Sequence, residues 1–146
     1  MLIREMLETD LDEVCVIEAE TFSDPWSKTS FLDSLSDSNN CYLVAVVDRS
    51  IVGYCGYYGV APEGYIYNVA VSKNYRRQGI GCKMLEELIK QASLRGITSM
   101  TLEVRVTNRP AIELYKSLGF NQKGIRKDFY NKPKEDAIIM WKESIQ

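Results

Sequence analysis

The chain contains no histidine among its 146 residues. Without an imidazole, Ser-His-Asp triads, Cys-His dyads and histidine-containing metal motifs are all excluded, and so is the usual general base at neutral pH. Any acid–base chemistry must therefore use a carboxylate, a tyrosine, a lysine or a cysteine.

Paired cysteines are also lacking. The four cysteines, Cys15, Cys41, Cys55 and Cys82, are widely spaced and include no C-x-x-C pair. This spacing indicates neither a zinc knuckle nor a redox-active dithiol, so we expect reduced thiols and no bound metal.

Long apolar runs and an excess of positive charge are missing as well. The first residues, Met1 to Glu5, lack the charged-then-apolar pattern of a signal peptide, and no segment approaches the ~18 apolar residues of a membrane span. The formal net charge of -2 argues against a protein that coats nucleic acid. We therefore expect a cytoplasmic protein that binds neither a membrane nor nucleic acid directly.

What is present is the composition of one globular domain. Hydrophobic residues make up 45% of the chain and charged residues 26%, and there is no internal repeat or low-complexity tract. A chain of this length can bury roughly 68–70% of the surface that its unfolded form exposes, which suffices for a core without disulfides. We predict a single domain over residues 1–146.

Alternating apolar residues predict strands, and apolar residues three or four positions apart predict helices. Strands are predicted at 2–6, 41–47, 51–60, 65–71, 98–106, 120–129 and 137–142, with 130–136 as a polar loop. Helices are predicted from a cap at Thr9-Asp10, from Ser27, from Ile80 to Gly96 and from Asn108 to Gly119. The strand, helix and strand between 65 and 106 form a βαβ unit, so its two strands should be parallel.

A basic turn that contains two glycines joins the first strand of this unit to its helix. The turn reads Arg76-Arg77-Gln78-Gly79-Ile80-Gly81. It is neither a dinucleotide fingerprint nor a P-loop, because Met84 stands where the first needs a third glycine and where the second needs a serine or threonine. Free N–H groups and the helix dipole stabilise a phosphate at the start of a helix, so the sequence predicts an anion site here.

Four blocks of the sequence resemble the GNAT superfamily of N-acetyltransferases. They are Asn-Val-Ala-Val at 68–71, Tyr-Arg-Arg-Gln-Gly-Ile-Gly at 75–81, Leu-Glu-Val-Arg at 102–105, and the block from Asn108 to Phe120. Pro25-Trp26-Ser27 and the segment from Glu135 to Met140 make the chain similar to the RimI type, the bacterial ribosomal-protein-alanine N-acetyltransferases. The resemblance spans nearly the whole chain.

The resemblance implies an α/β fold with a mixed, mostly antiparallel sheet, in which one central parallel strand pair splays apart between flanking helices. It also implies acetyl-CoA as co-substrate. The main chain of Val69, Ala70 and Val71 would lie along the pantetheine arm of the coenzyme. The other coenzyme residues would be Arg76, Arg77, Gln78, Gly79, Ile80, Gly81 and Cys82 at the turn, with Asn108 nearby.

Two residues take catalytic roles by the same resemblance. Glu103 would receive the proton of the acceptor amine, directly or through water, because an α-amine with a pKa of about 7.7–8.0 is mostly protonated at neutral pH. Tyr115 would donate a proton to the departing sulfur. The structural alternatives are a solvated strand carboxylate paired with a lysine or arginine for Glu103, and a core tyrosine with a satisfied hydroxyl for Tyr115.

The resemblance also implies an acceptor. Trp26 and Tyr130 would line its groove, from the first interhelix turn and the last hairpin loop, although ordinary packing explains such aromatic residues equally well. The acceptor implied is the N-terminal alanine of a small-subunit ribosomal protein. Acetylation of other protein N-termini or of a small amine is an alternative, as is a coenzyme-A-binding module without turnover.

Overall fold

The computed structural model of the protein describes residues 1–145. Within them, strands and α-helices follow one another as β1 (Leu2–Glu5), α1 (Leu11–Thr21), α2 (Lys28–Leu35), β2 (Asn40–Val47), β3 (Ser50–Val60), β4 (Glu63–Val71), α3 (Ile80–Leu94), β5 (Ser99–Arg105), α4 (Arg109–Ser117), β6 (Asn121–Asn131) and β7 (Lys134–Lys142). Short 3-10 turns at Glu8–Asp10 and Lys73–Tyr75 precede α1 and α3. None of the helices in this part of the chain has the length and apolar character needed to cross a membrane.

All the strands join one sheet in the order β1-β2-β3-β4-β5-β7-β6. Neighbouring strands are antiparallel except β4 and β5, which run parallel as the βαβ pattern predicts. The pairing of β4 with β5 stops at Tyr65 and Thr101, although β4 continues to Val71 and β5 to Arg105. The two strands therefore diverge beyond Tyr65, and the predicted mixed, splayed sheet is confirmed.

Helices cover both faces of the sheet. On one side, here termed the α3 face, α3 and α4 pack in a core that includes Met84, Leu88 and Met100. On the other side, termed the α1 face, α1 and α2 pack in a core that includes Phe31 and Tyr54. Each fully buried apolar side chain of this size contributes ~1.5–3 kcal/mol to folding, so both cores hold the sheet in place.

A β-bulge in β4 reverses the side-chain alternation beside the point of divergence. The pairing of β4 with β3 skips Tyr67, which is therefore an extra residue in its strand. Ile66 and Val69 consequently pack on the α3 face, whereas Tyr67 and Ala70 pack on the α1 face. The bulge thus directs an additional aromatic side chain towards α1 and α2.

Buried polar groups connect the α1–α2 turn and β4 to the core of the α1 face. The carboxylate of Glu18, a residue only 2% exposed, accepts hydrogen bonds from the Trp26 main-chain N–H at 2.9 Å and from the Tyr54 hydroxyl. Burial raises the pKa of Glu18. On β4, the side-chain oxygen of Asn68 accepts a hydrogen bond from the Tyr42 hydroxyl at 3.1 Å. Asn68 is therefore a satisfied amide within the sheet.

The prediction of a loop at 130–136 is wrong. β6 runs to Asn131 and β7 begins at Lys134, so that only Lys132 and Pro133 lie between them. The segment is polar because β6 is an exposed edge strand, and exposure determines polarity without interrupting the backbone ladder. Tyr130 therefore lies on a strand and not in a loop.

The start of α1 also differs from the predicted cap. Asp10 stands at the cap position but makes no side-chain capping bond. Its carboxylate instead accepts a hydrogen bond from the Leu7 N–H at 2.7 Å and pairs with Arg4 at 2.8 Å. The Arg4 hydrogen bond is the main reason that the pKa of Asp10 is lowered. The Asp10 carboxylate therefore pairs with Arg4 of β1 and does not make the cap of α1 that the local capping rule predicts.

Candidate functional site

The turn before α3 presents unpaired backbone donors. Arg77 and Gly79 both adopt left-handed conformations, with φ of 64° and 78°, and α3 begins at Ile80 without a side-chain cap. In the described part of the chain, the main-chain N–H groups from Arg77 to Cys82 donate to no other protein group. Consecutive free N–H groups at the positive end of a helix dipole can hold an anion, so the turn has the donors that the predicted anion site requires, and the site itself stays a prediction.

The two arginines of the turn add positive charge around these donors. Both Arg76 and Arg77 are exposed. The Nε of Arg76 donates to the main-chain oxygen of Val71 at 2.9 Å, so this side chain also joins the end of β4 to the turn. The turn is therefore attached directly to the strand that diverges from β5.

Replacing Gly79 by alanine should lower the free energy of unfolding by ~1–2 kcal/mol, because a side chain in the left-handed region clashes with its own backbone. The added Cβ at Gly79 would meet no atom within 4 Å, so the cost arises from φ alone. Urea-induced unfolding of the two proteins measures the difference.

Gly81→Ala is the matched control for this stability measurement. Gly81 lies within α3, and a Cβ there would make only ordinary contacts, at 3.4 Å with Leu114 and 3.8 Å with Val71. Alanine in a helix is favoured over glycine by ~0.5–1 kcal/mol, so this variant should be neutral or more stable. Equal losses in both variants would contradict the importance of the left-handed turn.

The edge of β4 that faces β5 has no strand partner beyond Tyr65. An unpaired strand edge offers main-chain donors and acceptors to an extended ligand, in the manner of an added strand. Among the predicted coenzyme residues of β4, Val69 and Val71 pack their side chains on the α3 face and Ala70 is buried on the α1 face. The space between the diverging strands, termed the strand gap, therefore leads from this edge to the turn.

Glu103 lies on β5 beside the strand gap, with its side chain on the α1 face, since its neighbours Leu102 and Val104 pack on the α3 face. The Glu103 side chain is only 6% exposed. One carboxylate oxygen accepts a hydrogen bond from the Tyr65 hydroxyl, and the other lies 3.0 Å from Nε of Arg126. The pairing of Glu103 with an arginine agrees with the structural alternative, but its side chain is buried and not solvated.

Tyr115 lies on α4, on the opposite face of the sheet from Glu103. It belongs to the core of the α3 face, is 8% exposed, and its ring centroid lies 6.0 Å from that of Phe120. Burial is the main cause that raises the pKa of the Tyr115 phenol, and nearby Tyr130 adds to it. The phenol therefore remains protonated at neutral pH. Because paired strands close the sheet elsewhere, the strand gap is the place where one molecule could contact both faces.

Asn108 stands at the start of α4, as its sequence context predicts. Its side-chain oxygen accepts a hydrogen bond from the Ala111 N–H at 3.3 Å, and a proline follows in the first turn of the helix. The capping role of Asn108 is confirmed. Its contact with the coenzyme stays a prediction.

Trp26 and Tyr130 both lie on the α1 face. The Trp26 ring is half-buried and packs on Phe31 and Tyr67, with centroid separations of 5.3 and 5.5 Å. Tyr67 packs in turn on Tyr65, at 5.5 Å, and Tyr65 is the residue that hydrogen-bonds Glu103. A continuous row of aromatic side chains therefore connects Trp26 to the buried carboxylate.

Tyr130 approaches the same region from the other side. The Arg105 guanidinium lies 4.3 Å above its ring, and Glu135 fixes Arg105 by an ion pair of 3.0 Å. Burial is the main cause that raises the pKa of Tyr130 to about 12, and the charge of Glu103 adds to it. Trp26 is thus connected to the region of Glu103 through Tyr67 and Tyr65, and Tyr130 through its contact with Arg105 on the strand of Glu103, while their role as walls of an acceptor groove stays a prediction.

The two partners of Glu103 are not identifiable from the sequence pattern alone. Neither Tyr65 nor Arg126 is close to Glu103 in the sequence. For Tyr65 a signal exists, because parallel pairing places it on the same sheet face as Thr101 and hence as Glu103. Arg126 has no comparable signal, because its position depends on how β6 and β7 follow α4.

Metal ligands do not cluster in the part of the chain that the structure describes. Its cysteines are free thiols, and no group of three or more histidine, cysteine, aspartate or glutamate side chains within residues 1–145 is arranged to hold a metal ion.

Comparison with known proteins gives consistent matches along the chain. A sequence profile described as the acetyltransferase (GNAT) family matches residues 6–120. The Escherichia coli [ribosomal protein bS18]-alanine N-acetyltransferase is 38% identical over 136 residues, which cover 90% of each chain. A Bacillus subtilis relative, whose name assigns the same activity provisionally, is 39% identical over 140 residues, covering 95% of this chain and 93% of the relative.

Solved structures agree with the sequence matches. The crystal structure of an Escherichia coli enzyme of the same name superposes with a TM-score of 0.88 at 34% identity, covering 96% of this chain and 91% of that one. The N-acetyltransferase PaiA of Thermoplasma acidophilum, solved in complex with coenzyme A, has a TM-score of 0.80 at 21% identity, covering 97% and 98%. At 21% identity the second match shows only that the two proteins share a fold.

Proposed function

The chain belongs to the acetyltransferase (GNAT) family, and we propose that it acetylates the N-terminal alanine of a small-subunit ribosomal protein of the bS18 type. As a member of this family it is an acetyl-CoA-dependent N-acetyltransferase. The observation that carries the acceptor assignment is the near-full-length identity of 38% to an enzyme named for that acceptor. The buried carboxylate between two aromatic walls supports an acceptor that carries a positively charged amine.

The turn and the diverging strand suit the coenzyme. When bound, acetyl-CoA supplies an acetyl group activated as a thioester. The free N–H groups from Arg77 to Cys82 would hold its pyrophosphate, and the charge of Arg76 and Arg77 would add to the attraction. The unpaired edge of β4 at Val69, Ala70 and Val71 would bind the amide-containing pantetheine arm, with Asn108 near the other side of the strand gap.

Glu103 is the proton acceptor of the proposed reaction. The α-amine of the acceptor is mostly protonated at neutral pH and cannot attack a carbonyl until its proton leaves. The Glu103 carboxylate would take that proton, directly or through a water, while the Tyr65 hydrogen bond keeps it oriented towards the strand gap. The deprotonated amine then attacks the acetyl carbonyl directly, with no acyl-enzyme stage.

Tyr115 is the proton donor on the opposite side of the sheet. Its phenol stays protonated because burial raises its pKa, and it faces the core that includes the α3-face residues of β4. Donation to the sulfur as the carbon–sulfur bond breaks would neutralise the departing thiolate. Two residues on opposite faces would thus act on one reacting group in the strand gap.

A peptide-acceptor assay tests this function. Release of the coenzyme thiol from acetyl-CoA is followed with an Ala-initiated bS18 peptide, and then with peptides that begin with other residues, with a polyamine and with an aminoglycoside. We expect the Ala-initiated peptide to give the highest kcat/KM, and mass spectrometry to place the acetyl group on its α-amine. Faster turnover of a small amine, or tight coenzyme binding without turnover of any amine, would contradict the proposal.

A further inference from the structure

Glu103 already carries a cation, the guanidinium of Arg126, with Nε at 3.0 Å from its carboxylate. We propose that Arg126 is a displaceable counter-ion of Glu103, and that the acceptor binds by exchanging its own α-ammonium for this guanidinium. The inference rests on the proposed function and specifies how that site selects its acceptor: a protonated amine can make the exchange, and a neutral group cannot.

The two partners of Glu103 differ in how firmly they are held. Tyr65 belongs to the paired part of β4 and packs on Tyr67, so its hydrogen bond is built into the sheet. Arg126 reaches Glu103 from β6, the edge strand, and its side chain is 57% exposed. Of the two, Arg126 is the one that solvent or a ligand can replace.

The path of the Arg126 side chain supports an exchange at the surface. Arg126 is paired with Ala137 on β7, and Ala137 is paired with Arg105 on β5, so all three project from the α1 face. The small side chain of Ala137 leaves room for Arg126 to cross β7 and reach Glu103. An incoming amine on the α1 face would meet Arg126 before it met the carboxylate.

The other nearby arginine is not available for this role. Arg105 pairs with Glu135 at 3.0 Å and also donates to the main-chain oxygen of Pro133 at 2.8 Å. Its side chain is 24% exposed, less than half the exposure of Arg126. Arg105 therefore attaches β5 to the β6–β7 hairpin. Arg126, by contrast, has Glu103 as its ion-pair partner within residues 1–145.

The energetics favour replacement of one cation by another. An ion pair with a half-exposed arginine is weak, so its loss costs little when an ammonium takes its place. A neutral acceptor offers no cation to replace the guanidinium, and a buried carboxylate without a cation is unfavourable, so a neutral terminus would leave the Arg126 pair intact. Arg126 would thus compete with protonated acceptors, which displace it, and its removal would bring no gain to a neutral acceptor.

The test compares Arg126→Gln with the wild-type enzyme, using the Ala-initiated peptide at saturating acetyl-CoA. Because the competing cation is removed, the peptide KM should fall roughly two- to fivefold, the range expected for an exposed ion pair, with kcat nearly unchanged. Arg126→Lys should restore the wild-type KM. An unchanged or higher KM in Arg126→Gln would overturn the inference.

Lys123→Gln is the matched control for net charge. Lys123 lies on the same strand and pairs with Glu143 at 2.8 Å, in a pair whose side chains are 48% and 66% exposed. This variant removes the same charge, and its peptide KM should equal that of the wild type. A fall in KM equal to that of Arg126→Gln would attribute the effect to general electrostatics and overturn the inference.

Calorimetric binding to the enzyme loaded with coenzyme A separates this inference from the proposed function. The free-amine peptide should bind Arg126→Gln more tightly than the wild type, while the N-terminally acetylated peptide should show no comparable gain. Equal gains for both peptides would indicate a steric effect and overturn the inference. Wild-type turnover with unchanged variant binding would reject the role of Arg126 alone, and absent wild-type turnover would reject the function while the binding comparison still tests Arg126.

Discussion

Replacing Glu103 by glutamine is expected to lower kcat/KM for an Ala-initiated peptide by about 100- to 1000-fold, the range typical of losing a general base. Glutamine keeps the side-chain length and can still accept the hydrogen bond of the Tyr65 hydroxyl, so the geometry should survive. What it loses is the capacity to take a proton. The loss should be largest at lower pH, where a greater fraction of the acceptor amine is protonated and depends on a base.

The pH profile of thiol release measures this prediction, with coenzyme affinity determined separately by calorimetry. Glu143→Gln is a suitable control because its carboxylate is 66% exposed and pairs with Lys123, away from the strand gap. This control should keep wild-type rates at every pH. If Glu103→Gln turned over at the wild-type rate across the pH range, Glu103 would not be the base.

Replacing Tyr115 by phenylalanine is expected to lower kcat by about 10- to 100-fold, with coenzyme affinity nearly unchanged. The ring should remain packed on Phe120, so the variant removes the hydroxyl and little else. The effect is smaller than that of Glu103→Gln because a thiolate is already a fair leaving group, and proton donation assists only part of the reaction.

The pH dependence of the rate also tests the role of Tyr115. Since burial raises the pKa of this phenol, the wild-type enzyme should keep its proton donor through neutral and mildly alkaline pH. Even an unperturbed phenol, with a pKa near 10, is mostly protonated below pH ~9, and the raised pKa of Tyr115 keeps it so. The ratio of wild-type to Tyr115→Phe rates should therefore be constant between pH ~7 and ~9. Tyr58→Phe, at a tyrosine that is 39% exposed on β3, is the control for removing a phenolic hydroxyl. A Tyr115→Phe enzyme that bound coenzyme poorly but turned over normally at saturation would contradict the acid role.

Much of the structure of the proposed coenzyme region could be predicted from the sequence because its features are local. The strand, the turn and the helix around Gly79 follow one another within a short stretch, and Asn108 caps the helix that it begins. The parallel pairing of β4 and β5 also follows from local order, since a helix between two strands returns the chain in the same direction. The sequence does not predict where the strand gap begins. The pairing of β4 with β5 ends at Tyr65, and that end depends on the side chains that pack against both strands.

The surroundings of Glu103, the proposed acceptor side, were less predictable because their contacts join distant segments. The hydrogen bond from Tyr65 to Glu103 spans 38 positions in the sequence, and Arg126 arrives through a hairpin that folds only after α4. The error at Tyr130 has the same origin. Polarity on an exposed edge strand resembles the polarity of a loop, and the pairing with β7 that distinguishes them is a tertiary contact.

By itself the sequence determined which reactive groups are available to this protein: a histidine-free chain with a basic glycine turn, a carboxylate on one strand and a tyrosine on the following helix. Such features depend on residue type and on neighbours a few positions away, where backbone sterics and hydrogen bonding act directly. Only the tertiary structure decided that Glu103 and Tyr115 lie on opposite faces of one sheet and that Glu103 is held by Tyr65 and Arg126. Those relations depend on how separate elements pack together, and packing is a property of the whole fold.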